Sequence, residues 1–345
     1  MTETSIRRRT TVHDVARAAG VSLATVDRVL NGRPGVRSVT AEKVEAAIAE
    51  LGFERDLSAS LLARARDLRL CFFIPEGRNE FMASLADAVT RRAAQALADR
   101  MHVTMRRIRA FDADAMARGL DALDPADCDC AIIVAGESSS VVAAVEAAMR
   151  RGIAVMTLVS DLPGSARQHF IGIDNVAAGR TAASLLGRFC SSGEIAVIAG
   201  SLQLRDHRDR FDGFRTVLAA EFPALDLLGP FEGHDDPAET QALVAELLEH
   251  HPDLVGLYNL GAGNAGLVAA LETSKRAIRV IAHELSASTR SGLETGGIDV
   301  VLDQNPDREI ALALAAARRL LFAAMVDIDP IEIGIFLRDN VRSDP

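Results

Sequence analysis

Two patterns of hydrophobic positions follow one another along the chain. Over residues 12–51 the apolar residues recur at intervals of three and four, which is the period of a helix. Gly20 and the pair Asn31-Gly32 interrupt this pattern. Glycine and asparagine are typical of helix C-termini, so these positions are predicted helix ends. The region is therefore predicted to form three short helices, the third over residues 39–51.

From residue 70 onward, short apolar runs alternate with amphipathic stretches of helical period. The predicted strands are residues 70–74, 103–108, 130–135, 154–159, 170–173, 195–199, 254–258, 279–282 and 299–302. Helices are predicted in nearly every gap, among them residues 80–99, 140–151, 177–189, 210–220, 239–250 and 307–324. Such alternation produces parallel sheets with helices on both faces, and this many units exceeds one compact sheet. The sequence therefore predicts an all-α N-terminal region followed by an α/β region of two doubly wound parallel-sheet lobes.

Charge is distributed unevenly between these regions. The 345-residue chain has a formal net charge of −10, whereas residues 1–40 contain seven arginines and three acidic residues, a net charge of +4. The acidic body argues against indiscriminate binding to polyanions, while the basic N-terminal region favours contact with one at that end.

The cysteines and the N-terminus indicate the compartment. Cys71, Cys128, Cys130 and Cys190 lack the paired spacing of a metal site or a disulfide framework, and three of them lie in or beside apolar runs. The first residues are polar and rich in arginine, and no run of about 18 apolar residues occurs. We therefore expect buried thiols in a cytoplasmic protein that neither is secreted nor crosses a membrane.

The first two predicted helices are joined through Gly20-Val21-Ser22, which is the spacing of a helix-turn-helix. The second helix of such a unit faces DNA, and Arg28 on it can pair with a guanine edge. The residues of this region predicted to contact DNA are Ser22, Leu23, Ala24, Thr25, Arg28, Asn31 and Arg37.

The segment from Thr11 reads TVHDVARAAGVSLATVDRVLNG and resembles the DNA-binding headpiece of the lac repressor family. The likeness continues through the third predicted helix to Gly52-Phe53. Asp27 is the one notable departure, because the family commonly has serine there. The departure places a carboxylate near phosphates or bases, so the operator preference of relatives does not transfer to this chain.

The resemblance also implies a hinge helix after the headpiece. In that family the hinge enters the minor groove when two subunits meet on DNA, and its leucine wedges open a base step. Leu62 lies at the matching distance from Phe53. The alternative is that Leu61 and Leu62 pack only on the body.

Behind the headpiece, residues 70 to about 338 resemble the type I periplasmic sugar-binding fold that the family carries. The implied domains are a headpiece over residues 1–53, a hinge over residues 54–69 and an effector-binding domain over residues 70–345. Lobe 1 is expected at about residues 70–173 and 305–329, and lobe 2 at about residues 174–304 and 330–345. Ligands of such sheets lie at the carboxyl ends of the strands, between the lobes.

Polar residues follow most of the predicted strands. Asn79 and Phe81 match a family loop in which asparagine bonds sugar hydroxyls and phenylalanine stacks on the sugar's apolar face. Arg210 matches the ligand arginine of an Arg-x-x-Gly-Phe pattern, whereas the preceding residues 205–209 are expected to be mostly solvated. The full predicted effector set is Asn79, Phe81, Ser160, Asp161, Asp174, Asn175, Arg210, Asn259, His283, Glu284 and Gln304. A polyol needs several such donors and acceptors converging in a dry cleft.

Several of these residues have a plainer interpretation. Phe81 could be a core residue of the helix that follows it. Asp174 and Asn175 could simply cap their helix, and Ser160 with Asp161 could initiate a turn.

Two other functional classes stay open. The run GAGNAG at residues 261–266 fits G-x-G-x-x-G between a strand and a helix, and Glu284 follows about twenty residues on, as a dinucleotide-dependent oxidoreductase requires. Glycine-rich turns are also common in any parallel α/β lobe. A binding protein without DNA function is the third class, against which the headpiece weighs. No further motif predicts a catalytic site, a metal or a cofactor.

The sequence thus predicts a DNA-binding regulator of carbohydrate or polyol genes, a repressor by resemblance, rather than an enzyme. Its expected partners are a pseudo-palindromic operator, a small sugar or polyol and a second copy of the chain. No leucine heptads follow Arg338, so a dimer is expected. Effector binding would change the angle between the lobes and the distance between the hinges, with a coupling of about 1 to 3 kcal/mol.

Overall fold

The computed structural model describes residues 11–30, 35–51, 67–274, 276–322 and 331–341. It contains two compact units, an N-terminal unit and a second unit that begins at Leu68.

The N-terminal unit contains three helices, α1 (Val12–Ala19), α2 (Leu23–Leu30) and α3 (Ser38–Leu51). Helix α1 ends at Gly20, which has a φ of 65°, and the N–H of Val21 then donates to the carbonyl of Ala16. Ser22 caps α2, because its Oγ accepts the N–H of Thr25 at 3.2 Å. The predicted end of α1 at Gly20 is confirmed, whereas the predicted end at Asn31-Gly32 lies outside the described residues.

A small apolar core holds the three helices together. Its buried members are Val15, Ala16, Val26, Val44 and Ala47. They come from all three helices at the predicted helical spacing, so each helix contributes one apolar face to the core and leaves the opposite face to solvent.

The second unit contains two sheets, each of which defines a lobe. Lobe 1 has the strand order β2-β1-β3-β4-β5, and lobe 2 has the order β11-β10-β9-β8-β6-β7. The strands of lobe 1 are β1 (Leu68–Glu76), β2 (Met101–Arg109), β3 (Cys130–Ile133), β4 (Ala154–Leu158) and β5 (His169–Ile171), and its helices are α4 (Glu80–Ala98), α5 (Ala113–Asp121) and α6 (Ser139–Arg150). All strand pairs are parallel except β10 with β11.

Lobe 2 repeats the same alternation. Its strands are β6 (Gly193–Ala199), β7 (Leu225–Glu232), β8 (Leu254–Asn259), β9 (Arg279–His283), β10 (Val300–Asp303) and β11 (Gly334–Phe336). The helices that follow lobe 1 along the chain are α7 (Asn175–Phe189), α8 (Arg205–Glu221), α9 (Pro237–His250), α10 (Asn264–Ser274), α11 (Ala287–Thr295) and α12 (Pro306–Phe322). The prediction of two doubly wound parallel sheets is confirmed.

The nine predicted strands are all present, but two strands of lobe 2 were not predicted. Strand β7 is an edge strand that contains Gly229-Pro230 and mixes exposed and half-buried residues, so it lacks the apolar run that marks its neighbours. Strand β11 is an edge strand of three residues. Helix α8 begins at Arg205, five residues before the predicted start, and this difference changes the site described below.

Apolar side chains fill the space on both faces of the sheets. Leu257, Ile281 and Leu302 on central strands of lobe 2 are fully buried. All four cysteines are free and buried, as predicted. Burial raises the pKa of the Cys128 thiol to about 12, so this thiol is neutral and unreactive.

Candidate functional site

The N-terminal unit presents the predicted DNA-facing side chains to solvent. On α2, Leu23 is 41% exposed, and Ala24, Asp27 and Arg28 are exposed beside it. Arg37 is also exposed, at the start of α3. Two residues of the predicted set, Asn31 and Leu62, lie outside the described residues. Contact of this face with DNA stays a prediction.

The carboxyl ends of strands from both lobes meet around a cleft. One cavity of this cleft, called the inner chamber, has a volume of about 30 Å³. Six of the predicted effector residues line it, namely Asn79, Phe81, Ser160, Arg210, Glu284 and Gln304. His283 lines an adjoining cavity of about 60 Å³ together with Phe81 and Glu284.

Arg210 on α8 is the central charge of the inner chamber and is 2% exposed. Its Nε donates to Asn175 Oδ1 at 2.8 Å and its Nη1 donates to the carbonyl of Leu260 at 2.9 Å. Its Nη2 lies 3.6 Å from Glu284 Oε1 and has no hydrogen-bond partner among the described residues. Two of the guanidinium's three nitrogens are thus fixed by the protein, and the third is left for another acceptor.

Glu284 faces Arg210 from the loop after β9, where its backbone has a φ of 66°. Its Oε1 accepts from Gln304 Nε2 at 2.8 Å, and its Oε2 accepts from the Gln304 N–H at 3.2 Å. Burial raises the pKa of Glu284 to about 8, although the charge of Arg210 opposes the shift. The carboxyl group is therefore mostly protonated at neutral pH, and it can donate as well as accept.

His283 is held in its neutral form. Its Nε2 lies 2.8 Å from the hydroxyl of Tyr258, whose ring stacks on Phe214 at a centroid distance of 4.8 Å. Burial, and then the charge of Arg210, lower the pKa of His283 well below its ordinary value. Its Nδ1 has no hydrogen-bond partner in the part of the chain that the structure describes.

Asn79 and Phe81 reach the inner chamber from lobe 1. The side chain of Asn79 caps α4, accepting the N–H groups of Phe81 and Met82, and its Nδ2 donates to Asp235 Oδ2 in lobe 2 at 2.9 Å. Phe81 is 6% exposed and packs in the core while one part of it lines the chamber. Its burial agrees with the core interpretation of Phe81, and its contact with a sugar stays a prediction.

Asp161 and Asp174 are not brought to the chamber, and the plainer interpretation describes each of them better. Asp161 accepts two hydrogen bonds from Arg167 and one from Thr157, and these bonds hold its pKa below the ordinary value despite the opposing effect of burial. Asp174 is exposed and caps α7 through the N–H of Ala177.

Asn175 and Asn259 are buried behind the chamber rather than lining it. Asn175 acts through Arg210, whose Nε it holds. Asn259 Nδ2 donates to the carbonyl of Ala262 and to Asn264 Oδ1, which fixes the turn at the end of β8. Both side chains support the site's backbone and its arginine.

Sequence reasoning missed Asp206 and His207, which were expected to be solvated. Both line the inner chamber, and Asp206 is 4% exposed. They are buried because α8 begins at Arg205, which places them in its first turn against the cleft. An apolar pattern could not reveal this, because all five residues from Arg205 to Asp209 are polar.

Asp235 was also missed, because it follows the unpredicted strand β7. It lines the inner chamber, where Oδ1 accepts the N–H of Ala262 at 2.8 Å and Oδ2 accepts from Asn79. A second and larger cavity of about 730 Å³, the outer chamber, adjoins the inner chamber and shares Asn79 and Asp235 with it. The Asn79–Asp235 bond therefore stands at the boundary between the two chambers.

Several direct bonds join the two lobes across the cleft. Besides Asn79–Asp235, the hydroxyl of Ser288 donates to Glu80 Oε1 at 2.7 Å, and Ser160 Oγ accepts the N–H of Arg205 at 3.1 Å. Direct bonds thus span the cleft, and its inner chamber, at about 30 Å³, is smaller than a sugar ring.

Comparison with known proteins decides the family. The family described as "Periplasmic binding protein domain" matches residues 70–324, and the family described as "Bacterial regulatory proteins, lacI family" matches residues 11–56. The chain belongs to the periplasmic-binding-protein domain family over residues 70–324 and carries a lacI-family region at residues 11–56. Its helix-turn-helix precedes a periplasmic-binding-protein domain, as the resemblance of the sequence implied.

Two relatives of this chain are named as regulators. It is 42% identical over 79 residues to the catabolite control protein A of Priestia megaterium, covering 23% of this chain and 24% of that protein. It is 28% identical over 211 residues to the HTH-type transcriptional regulator DegA of Bacillus subtilis (strain 168), covering 61% of each. The matches thus span about a quarter of the first relative and under two thirds of the second.

Solved structures share the fold of the second unit. A solute binding protein of an ABC transporter from Burkholderia graminis C4D1M, in complex with D-arabinose, has a TM-score of 0.74 at 23% identity, covering 80% of this chain and 97% of that one. GanP, a glucose-galactose binding protein from Geobacillus stearothermophilus, has a TM-score of 0.72 at 20% identity, covering 80% and 99%.

Packing explains the glycine-rich run at residues 261–266. A Cβ on Gly266 would lie 1.8 Å from the carbonyl oxygen of Pro237, and a Cβ on Gly263 would lie 2.2 Å from Thr240 Oγ1. Both contacts are with α9, against which α10 packs. Close helix approach therefore accounts for these two glycines, and the dinucleotide motif has no further support here.

No helix in the described ranges is both long enough and apolar enough to cross a membrane.

Proposed function

We propose that the chain is a dimeric, cytoplasmic DNA-binding transcription regulator that represses carbohydrate or polyol genes under the control of a small sugar-like effector. The effector binds between lobes 1 and 2. One observation carries this proposal: buried polar atoms without a partner in the described residues cluster around the inner chamber. They include Arg210 Nη2, Asp206 Oδ1 and Gln304 Oε1.

Buried polar atoms are rarely left without a hydrogen bond, because each lost bond costs about 1 to 3 kcal/mol. A ligand with several hydroxyl groups can donate to Asp206 and Gln304 and accept from Arg210 at the same time. Phe81 supplies the apolar surface on which the C–H face of a sugar ring packs. One structural neighbour is in complex with D-arabinose, and another is named a glucose-galactose binding protein. These names support a sugar as the first candidate.

The N-terminal unit supplies the DNA contact in this proposal. Arg28 on the exposed face of α2 reads a guanine, while Ser22 and Thr25 position the helix on phosphates. The hinge over residues 54–69 and its Leu62 transmit the state of the cleft to the operator. The protein needs no catalytic group for this task, and no reaction is assigned to it.

The effector half is tested by a thermal-shift screen of sugars and polyols on the full chain. Operator sequences are first selected from a random duplex pool, and binding to the selected DNA is then measured with and without each hit. We expect at least one hit that changes DNA affinity by about 5- to 150-fold, the usual range of allosteric coupling. A screen without any hit, or hits that leave DNA affinity unchanged, would remove the sensor from the proposal.

Arg210→Met is the sharpest single variant for this site. It removes the unpartnered Nη2 and leaves Asn175 and Glu284 facing an uncharged chain, so affinity for the hit should fall by roughly 100-fold or more. The selected DNA should still bind, and it should no longer respond to the hit. Arg215→Met is the matched control, because Arg215 is exposed on the same helix and pairs only locally with Asp212 in the described structure. Thermal melts of both variants separate a lost contact from a lost fold.

A further inference from the structure

We propose that the effector carries a positive charge, as an amino sugar or an aminopolyol does, and that its ammonium group pairs with Asp206. This inference rests on the proposed function, because it narrows the ligand class of the same cleft.

The charges that line the inner chamber are unbalanced. Asp206, Asp235 and Glu284 face it with carboxyl groups, whereas Arg210 is the one arginine or lysine in its lining. Glu309 on α12 adds another carboxyl group behind this lining, fully buried and with no hydrogen-bond partner for either oxygen in the described ranges. Burial, and then the nearby Glu284, raise the pKa of Glu309 well above its ordinary value. Even with Glu284 and Glu309 protonated, the carboxyl groups of Asp206 and Asp235 outnumber the single guanidinium of the lining, so the site favours a cation.

Asp206 differs from the other two carboxylates of the lining in how it is bonded. Asp235 accepts hydrogen bonds on both oxygens, from Asn79 and from the N–H of Ala262. Glu284 is bonded on both oxygens by Gln304. Asp206 Oδ1 has no partner within the described chain, and Oδ2 has the imidazole Nε2 of His207 at 3.7 Å, beyond hydrogen-bond distance.

An unpartnered carboxylate that is 4% exposed is costly, because burial strips its water without replacing it. Arg210 forms no hydrogen bond with Asp206 in the described structure, since its Nε and Nη1 donate to Asn175 and to the carbonyl of Leu260, and its Nη2 lies 3.6 Å from Glu284 Oε1. A neutral hydroxyl would supply one hydrogen bond and no charge. An ammonium group supplies three donors and a compensating charge, and bonds of this charged kind are roughly twice as strong as neutral ones.

The rest of the lining suits the remainder of such a ligand. Phe81 offers a ring face, which packs against C–H groups and also attracts a cation within about 6 Å. Arg210 Nη2 and Gln304 Oε1 remain for hydroxyl groups of the same ligand. The two lobes must part to admit it, because the chamber holds about 30 Å³.

The experiment compares matched pairs of probes in which an amine replaces a hydroxyl. The pairs are D-glucosamine with D-glucose, D-galactosamine with D-galactose, and glucamine with sorbitol, titrated calorimetrically into the full chain at pH 7. In at least one pair the amine should bind about tenfold more tightly or better. Asp206→Asn should remove that preference, so that the two members of the pair bind the variant with similar affinity.

Asp212→Asn is the control, because Asp212 is exposed on the same helix and the substitution makes the same change of charge. It should keep the preference for the amine. Equal or tighter binding of the neutral member in every pair overturns the inference and leaves the proposed sugar sensor standing, as does a preference that survives in Asp206→Asn. If neither these probes nor any sugar of the wider screen binds, both proposals fail together.

Discussion

The DNA-facing helix and the effector cleft place their polar residues in opposite surroundings. On α2, Ala24, Asp27 and Arg28 are exposed to solvent. In the cleft, Arg210 and Asp206 are already removed from water by the protein itself. In the proposed function, the first surface recognises DNA by its shape and charge. The second holds buried polar groups that lack hydrogen-bond partners among the described residues. It therefore favours a ligand that supplies the missing donors, acceptors or charge.

The largest effect that separates the two regions is expected from Val26→Asp. Val26 is fully buried in the small core of the N-terminal unit, and a carboxylate there lacks any compensating partner. A core of this size does not withstand a cost of several kcal/mol, so DNA affinity should fall by roughly 100-fold or more. Sugar binding and the melting of the second unit should be unchanged, since that unit has its own core. Loss of sugar binding in this variant would show that the two regions are not independent.

A smaller effect is the pH dependence that the cleft alone contributes. The pKa of Glu284 rises from an ordinary 4.5 to about 8 on folding, so the folded chain holds a proton that the unfolded chain releases. The free energy of unfolding therefore falls as pH rises from 4.5 to 8 and levels off above that window. Glu284→Gln should flatten part of this slope in urea unfolding at pH 5, 6, 7 and 8, whereas the exposed Glu249→Gln should not. Part of the slope remains in the variant, because the raised pKa of Glu309 acts in the same direction.

The smallest effect belongs to the exposed helix. Asp27→Ser removes one negative charge from α2 without touching a core, so DNA should bind more tightly by roughly two- to fivefold, the scale of one surface charge. The preferred base near this position should also change in a selection from random DNA. Glu50→Ser on α3 removes the same charge away from the reading helix and should leave the base preference intact. An identical preference in Asp27→Ser and the natural chain would mean that Asp27 does not face the bases.

The same contrast explains what the sequence could and could not predict. The helix-turn-helix is local: Gly20, Ser22 and the apolar period lie within forty residues and fix the three helices. The cleft joins residues from Asn79 to Gln304, and six residues of the predicted effector set line its inner chamber. Arg210 among them was indicated by its Arg-x-x-Gly-Phe resemblance rather than by a strand end. Asp206 escaped because a polar run resembles a solvated one until tertiary packing buries it. Asp235 escaped because β7 is an edge strand interrupted by Gly229-Pro230.

The bonds that join the lobes bear on how the effector arrives. Asn79 holds Asp235, and Ser160 holds the first turn of α8. Under the proposed function, the lobes must part before a sugar fills the inner chamber, because that chamber holds about 30 Å³. At high effector concentration the rate of association therefore reaches a ceiling. That ceiling is the rate at which the bonds between the lobes, Asn79–Asp235 among them, open.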